Sequence, residues 1–232
     1  MIEIKDLKKI YAGVTVVDVP HLDIRKGESI GLIGNNGAGK TTLFRTILDL
    51  IRPEKGEVLS QGENVAHSET WKKHTAAYLD ESFLIDYLTP EEYFYFIGGL
   101  HQQTHAHVDD FLASFSDFFN GEILNKGKYI RDLSKGNQCK VGVAACLLQS
   151  PEILMLDEPF ANIDPSTQIR LKNFLKDLNK ARGITTIVSS HDLSHVTEVC
   201  ERILLMEKGK IIKDIATNSS TLKELEEYFA VV

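Results

Sequence analysis

The chain is poor in cysteine, in long apolar runs and in surplus positive charge, and each shortage closes off a class of protein. Three cysteines occur in 232 residues, Cys139, Cys146 and Cys200, with no Cys-x-x-Cys pair among them. An odd, scattered set does not make a disulfide framework, so buried thiols in a reducing cytosol are expected. No apolar run approaches the roughly 20 residues that a membrane-spanning helix needs. The opening Met1-Ile2-Glu3-Ile4-Lys5-Asp6 has no basic flank followed by an apolar core, so a signal peptide is not expected. Any tie to a membrane is expected to run through a partner. Lys and Arg total 26 against 33 Asp and Glu, a net charge of −7. Proteins that grip phosphate backbones are usually basic, so no nucleic acid is expected as a partner. Docking on anionic lipid by charge alone is disfavoured too. His101, His105 and His107 have neither a cysteine nor a buried acid to complete a metal set, and a solvated loop is expected there.

What is present is a strand–helix alternation in a chain that is 43% hydrophobic, enough for one domain with a modest insertion. Ile2, Ile4 and Leu7 fit a half-buried strand, and Val14 to Ile24 fits another. Ser29 to Ile33 runs into a glycine-rich turn. Thr41 to Ile51 has helical spacing and stops before Pro53. Lys55 to Val65 reads as a hairpin. Thr89-Pro90-Glu91-Glu92 predicts a helix start with a capping box. It opens the aromatic run Tyr93-Phe94-Tyr95-Phe96, which suits either a helix core or a docking face. Val108 to Phe119 predicts a second helix, and Ser134 caps a third reaching Gln149. Ile153 to Leu156 and Ile184 to Ser189 are strands buried on both faces, followed by helices from Pro165 and from Leu193. A hairpin turns at Lys208-Gly209, and a terminal helix runs from Ser220 to Phe229. Such alternation predicts a mainly parallel sheet with right-handed crossovers.

Gly34-Asn35-Asn36-Gly37-Ala38-Gly39-Lys40-Thr41 matches the phosphate-loop pattern at every fixed position, with a strand before it and a helix after it. Glycines let the backbone curl so that successive N–H groups face phosphate oxygens, and the helix end adds positive potential. Lys40 is expected on the β- and γ-phosphates and the Thr41 hydroxyl on Mg²⁺, with Thr42 following them into the site. Asp157 and Glu158 end a four-residue apolar strand, and adjacent acids there need a reason. Asp157 suits the Mg²⁺ neighbourhood, and Glu158 suits a general base or water-orienting group. His191 follows the next strand. Gly34, Asp157 and His191 therefore all lie past the carboxyl ends of predicted parallel strands, the edge where open α/β sheets bind ligands.

Leu133-Ser134-Lys135-Gly136-Asn137-Gln138 resembles the Leu-Ser-Gly-Gly-Gln signature of the ATP-binding-cassette (ABC) ATPases, and it precedes Asp157-Glu158-Pro159 in that family's order. The resemblance covers nearly the whole chain. Ala161-Asn162-Ile163-Asp164 is similar to the family's D-loop, His191 to its switch histidine, and Tyr11 to the aromatic that stacks on adenine. It implies an α/β fold: a P-loop NTPase core with a mainly parallel sheet, an N-terminal antiparallel β-subdomain and an inserted helical subdomain. The single cassette would have its core in residues 1–84 and 150–232 and its helical part in 85–149. It implies a head-to-tail dimer, homomeric or heteromeric, with each Mg-ATP between one phosphate loop and the other copy's Ser134 and Gly136, and with Asp164 close by. Three positions depart from the pattern. Lys135 and Asn137 replace Gly and Gln in the signature, and Glu81 stands where the family has the glutamine that approaches Mg²⁺ or water.

The implied activity is ATP hydrolysis that drives a separate transmembrane permease from the cytoplasmic face. The compact length and the Lys-Gly signature resemble export-type subunits. Three alternatives remain beside it: a cassette acting on ribosomes or DNA, a small-molecule kinase with the same phosphate loop, and a cassette that binds ATP but hardly hydrolyses it.

Overall fold

Alternating burial builds the first sheet. In the computed structural model, which describes residues 1–231, β1 (Ile2–Tyr11) buries Ile2, Ile4 and Leu7, and β2 (Val14–Ile24) buries Val17, Val19, Leu22 and Ile24. The two pair antiparallel, and β4 (Lys55–Ser60) and β5 (Glu63–Asn64) extend the sheet in the order β2-β1-β4-β5.

The second sheet has six strands. β3 (Ser29–Ile33), β7 (Ile153–Leu156) and β8 (Thr185–Ser190) are buried at every residue, as the apolar runs require of strands covered on both faces. β6 (Thr75–Tyr78) and the hairpin β9 (Arg202–Glu207) and β10 (Lys210–Ala216) complete the order β10-β9-β3-β8-β7-β6, parallel except for β9-β10. The mixed α/β class is the expected one, with an antiparallel N-terminal sheet beside a parallel-rich one. The strand β6 has no clear signal in the sequence. Thr-Ala-Ala-Tyr is short and its alanines favour no strand, so pairing with β7 from Thr75↔Ile153 to Tyr78↔Leu156 decides its state.

Helix α1 (Lys40–Ile47) is shorter than the spacing of Leu43 to Ile51 predicts, because the chain turns at Leu48 and takes a left-handed conformation at Asp49. Between β6 and β7 lie α2 (Pro90–Leu100), α3 (His105–Ser114), α4 (Ser116–Phe119) and α5 (Lys135–Leu148). The capping box at Thr89 and Glu92 is formed in both directions. Where one helix over Val108–Phe119 is predicted, two occur with a break at Phe115. The first starts earlier, capped by Thr104, so His105 and His107 are helical and not in a loop. Of the aromatic run, Tyr93 and Phe94 are buried while Phe96 is 45% exposed. Phe94 meets Phe119 at 5.9 Å, and Phe118 stacks at 4.5 Å on Phe174 of α6 (Pro165–Arg182). Helices α7 (Leu193–Val199) and α8 (Thr221–Val231) follow. Among the described residues, no helix is long and apolar enough to cross a membrane.

Helix α5 is seated on β6 through Gly142. A Cβ there would stand 2.3 Å from the Tyr78 ring, itself 6% exposed. Gly142→Ala is expected to destabilise the fold by about 1–3 kcal/mol through overpacking. A urea titration with an unchanged slope and a lowered midpoint checks this.

Candidate functional site

The turn after β3 closes too tightly for side chains. Gly34 packs where a Cβ would meet the Met206 carbonyl at 2.3 Å. Gly39 has φ +108° at the N-terminus of α1, with its Cβ direction blocked by the Val16 carbonyl at 2.5 Å. Asn35, Asn36 and Gly37 form the exposed tip, and Ala38 beneath it is tied by its carbonyl to the Gly209 N–H at 2.9 Å. A cavity of about 210 Å³ is lined by Val16, by Asn36 to Thr42 and by Glu158. Lys40 is 6% exposed, donates to the Gly34 carbonyl at 2.7 Å and lies 3.2 Å from Glu158.

The ends of β7 and β8 bring the acids and the histidine to the same edge. Parallel pairing sets Leu156 beside Val188, so Asp157 and Ser189 fall next to each other. The Ser189 hydroxyl donates to Asp157, and the nearby Thr41 hydroxyl also favours the ionised carboxylate. Burial of Asp157 pushes its carboxyl above the usual range, and these hydroxyl donors only partly oppose the shift. Ser189 Oγ also accepts from the Glu158 N–H at 2.9 Å. Glu158 itself is strained, with φ +49°. That conformation turns its carboxylate between two partners. Lys40 lies on one side, and on the other His191 approaches through Nδ1 at 2.8 Å and the backbone N–H at 3.2 Å. Gly34 to Thr42, Asp157, Glu158 and His191 thus form one cluster.

A second cluster forms around the start of α5. Ser134 caps that helix, accepting from the Asn137 N–H at 3.3 Å, and is exposed with Lys135 beside it. Gly136 is buried, and a Cβ there would touch Asp164 and Thr167 at 3.4 Å. Asp164 caps α6, and the Ser166 hydroxyl and Thr167 N–H donating to it hold its carboxyl well below the usual range. Glu81 is half exposed at the turn after β6. It pairs with Lys135, which lowers its carboxyl below the ordinary value. Both residues nonetheless line a cavity of about 180 Å³ that also reaches Asp157 and Glu158. Tyr11 lies outside the phosphate-loop cavity, 46% exposed at the end of β1, with the Lys9 amine 4.9 Å from its ring centre. Ser189 went unnoticed in the sequence. Its signal is a hydroxyl just past the β-branched run of β8, but only the register with β7 makes it a neighbour of Asp157.

Comparisons with known proteins give the family and the fold. The family model described as ABC transporter matches residues 17–161. The chain is 31% identical to the uncharacterized ABC transporter ATP-binding protein YhcH of Bacillus subtilis, over 99% of this chain and 74% of that protein. It is 33% identical to the methionine import ATP-binding protein MetN of Carboxydothermus hydrogenoformans, over 92% of this chain and 66% of that one. The chain therefore spans two thirds to three quarters of the length of these relatives. The dimeric structure of MJ0796, a bacterial ABC transporter cassette, superimposes with a TM-score of 0.83 at 22% identity over 94% of this chain and 100% of that one, a likeness of fold.

Proposed function

The chain belongs to the ABC transporter family, and from that premise we propose that it is the family's ATP-hydrolysing subunit, working on a separate permease from the cytoplasmic side of a membrane. The observation that carries this is the position of Glu158, one carboxylate held between the phosphate-loop lysine at 3.2 Å and His191 at 2.8 Å. Loop N–H groups and the α1 end take the phosphates. Lys40 exchanges its Gly34 and Glu158 contacts for phosphate oxygens. Glu158, freed on that side, orients water and accepts its proton, work that general bases typically do with about 10²–10⁴-fold effect. His191 holds the carboxylate in place.

The Thr41 hydroxyl lies near enough to the Asp157 carboxylate beside the loop to favour its ionised form. A hydroxyl and a carboxylate are hard oxygen donors, the kind Mg²⁺ takes together with nucleotide phosphates and water. Among the described residues there is no group of three or more His, Cys, Asp or Glu that suits a metal ion, and a nucleotide-bound Mg²⁺ does not need one. Thr41 and Asp157 would hold the ion, which would supply positive charge against the negative charge developing on the phosphates.

We read the second cluster as acting in trans. Ser134 and Gly136 of one copy would cover the nucleotide on the phosphate loop of the other, with Asp164 fixing the α6 end beside them and Tyr11 flanking the adenine. Ser134→Arg is expected to leave ATP binding by the single chain near its parent value and to prevent ATP-driven dimer formation. Sedimentation with and without ATP checks it, and persistence of the dimer would remove Ser134 from the interface. The helical stretch 85–149 is proposed to pass closure to the permease, and the Lys-Gly form of the signature favours export. The import in MetN's name belongs to that protein.

The test of the transport reading is a pull-down from native membranes with tagged Glu158→Gln protein, with and without Mg-ATP. A multi-span membrane protein retained with the cassette supports it. Ribosomal proteins or nucleic acid instead would move the cassette to another machine, a reading that a net charge of −7 disfavours.

A further inference from the structure

Two of the three departures from the family pattern, Lys135 and Glu81, are in contact. Lys135 is the first residue of α5, and Glu81 begins a short 3-10 turn, Glu81–Phe83, just past β6. The lysine is not placed there by local preference. Backbone N–H groups at a helix start already carry partial positive charge, and a cation in the first turn is repelled by them. It is tolerated because the Glu81 carboxylate, brought from a separate element 54 residues away, accepts a hydrogen bond from its amine. Neither departure stands alone: the acid where a glutamine is the pattern answers the cation where a glycine is the pattern. Both side chains are about half exposed, 54% for Lys135 and 46% for Glu81. An exposed pair of this kind is weak and readily exchanged.

We infer that Lys135 is a phosphate-binding residue with Glu81 as its internal counter-ion, and that the amine changes partners when a second copy closes with nucleotide between them. This rests on the trans arrangement proposed above. The bound triphosphate offers more negative charge and more acceptor oxygens than one carboxylate. Glu81 therefore acts as a competitor. It keeps the signature from attracting anions in the single chain and sets how much ATP is needed for closure.

The experiment measures the ATP concentration at half-maximal dimer formation, by light scattering, in a Glu158→Gln parent. Glu81→Gln removes the competitor and should lower it about threefold, the scale of a weak exposed pair. Lys135→Met should raise it about tenfold, as expected for loss of a charge-assisted contact. Lys135→Arg should stay near the parent, and the double variant Glu81→Gln/Lys135→Met should match Lys135→Met alone. ATP binding to the single chain should be unchanged throughout. If the pair were only a structural tie, both single variants would shift closure in the same direction and lower the melting temperature alike, and that result overturns the inference. A Lys135→Met protein that closes like its parent overturns it too. A parent that never closes with ATP overturns the underlying dimer reading instead.

Discussion

Glu158→Gln protein is expected to bind ATP as tightly as the unaltered chain and to turn it over about 10²–10³-fold more slowly, within the range for loss of a general base. The amide is nearly the same size as the carboxylate. Its oxygen can still accept the His191 N–H at 3.2 Å, and the Glu158 N–H to Ser189 bond does not involve the side chain. The strained backbone, φ +49°, is therefore kept. What is lost is the capacity to take a proton and the charge facing Lys40 at 3.2 Å. Because hydrolysis is what reopens the proposed dimer, an ATP-bound dimer should accumulate, which makes this variant the parent for the interface experiments. Steady-state phosphate release and equilibrium ATP binding measured on one preparation decide the matter. Unchanged turnover would exclude Glu158 as the group acting on water.

Lys40→Ala is expected to weaken ATP binding by about 10–100-fold, the scale of a charge-assisted contact in a sheltered site. Lys40 is 6% exposed, so its charge is poorly screened, and within the phosphate loop it is the one cation. The change also leaves the Gly34 carbonyl without its side-chain donor and Glu158 without a cation at 3.2 Å. Repulsion between the unpaired Glu158 and the γ-phosphate adds to the loss. Lys40→Arg should recover little. The longer guanidinium does not fit beneath a loop pinned by Gly34 against the Met206 carbonyl and by Gly39 against the Val16 carbonyl. Isothermal titration with ATP checks both variants, and retained affinity in Lys40→Ala would place the nucleotide elsewhere.

The histidines show why some expectations failed. His101, His105 and His107 carry no apolar period, so a loop was the natural reading, yet Thr104 caps a helix and His105 stacks on Tyr95 at 4.6 Å. A cap and a ring partner from the neighbouring helix outweighed local polarity. The broken helix at Phe115 has a similar origin. Phe115 and Phe118 both turn to Phe174, at 5.5 and 4.5 Å, and one straight helix would not present both.

The sequence by itself determined the phosphate loop, the buried strands and the order in which Asp157, Glu158 and His191 arrive. Those features depend on local chemistry: glycines where only glycine fits, β-branched runs where both faces are covered, and acids directly after an apolar strand. Tertiary structure decided what depends on residues far apart in the chain. The strand β6 exists because β7 offers it a partner, and Ser189 meets Asp157 because of parallel register. The Glu81 carboxylate faces Lys135 because the turn after β6 ends beside the start of α5. In sequence, Lys135 and Glu81 read as two unrelated departures, and only the fold, by bringing opposite charges together, shows them to be one.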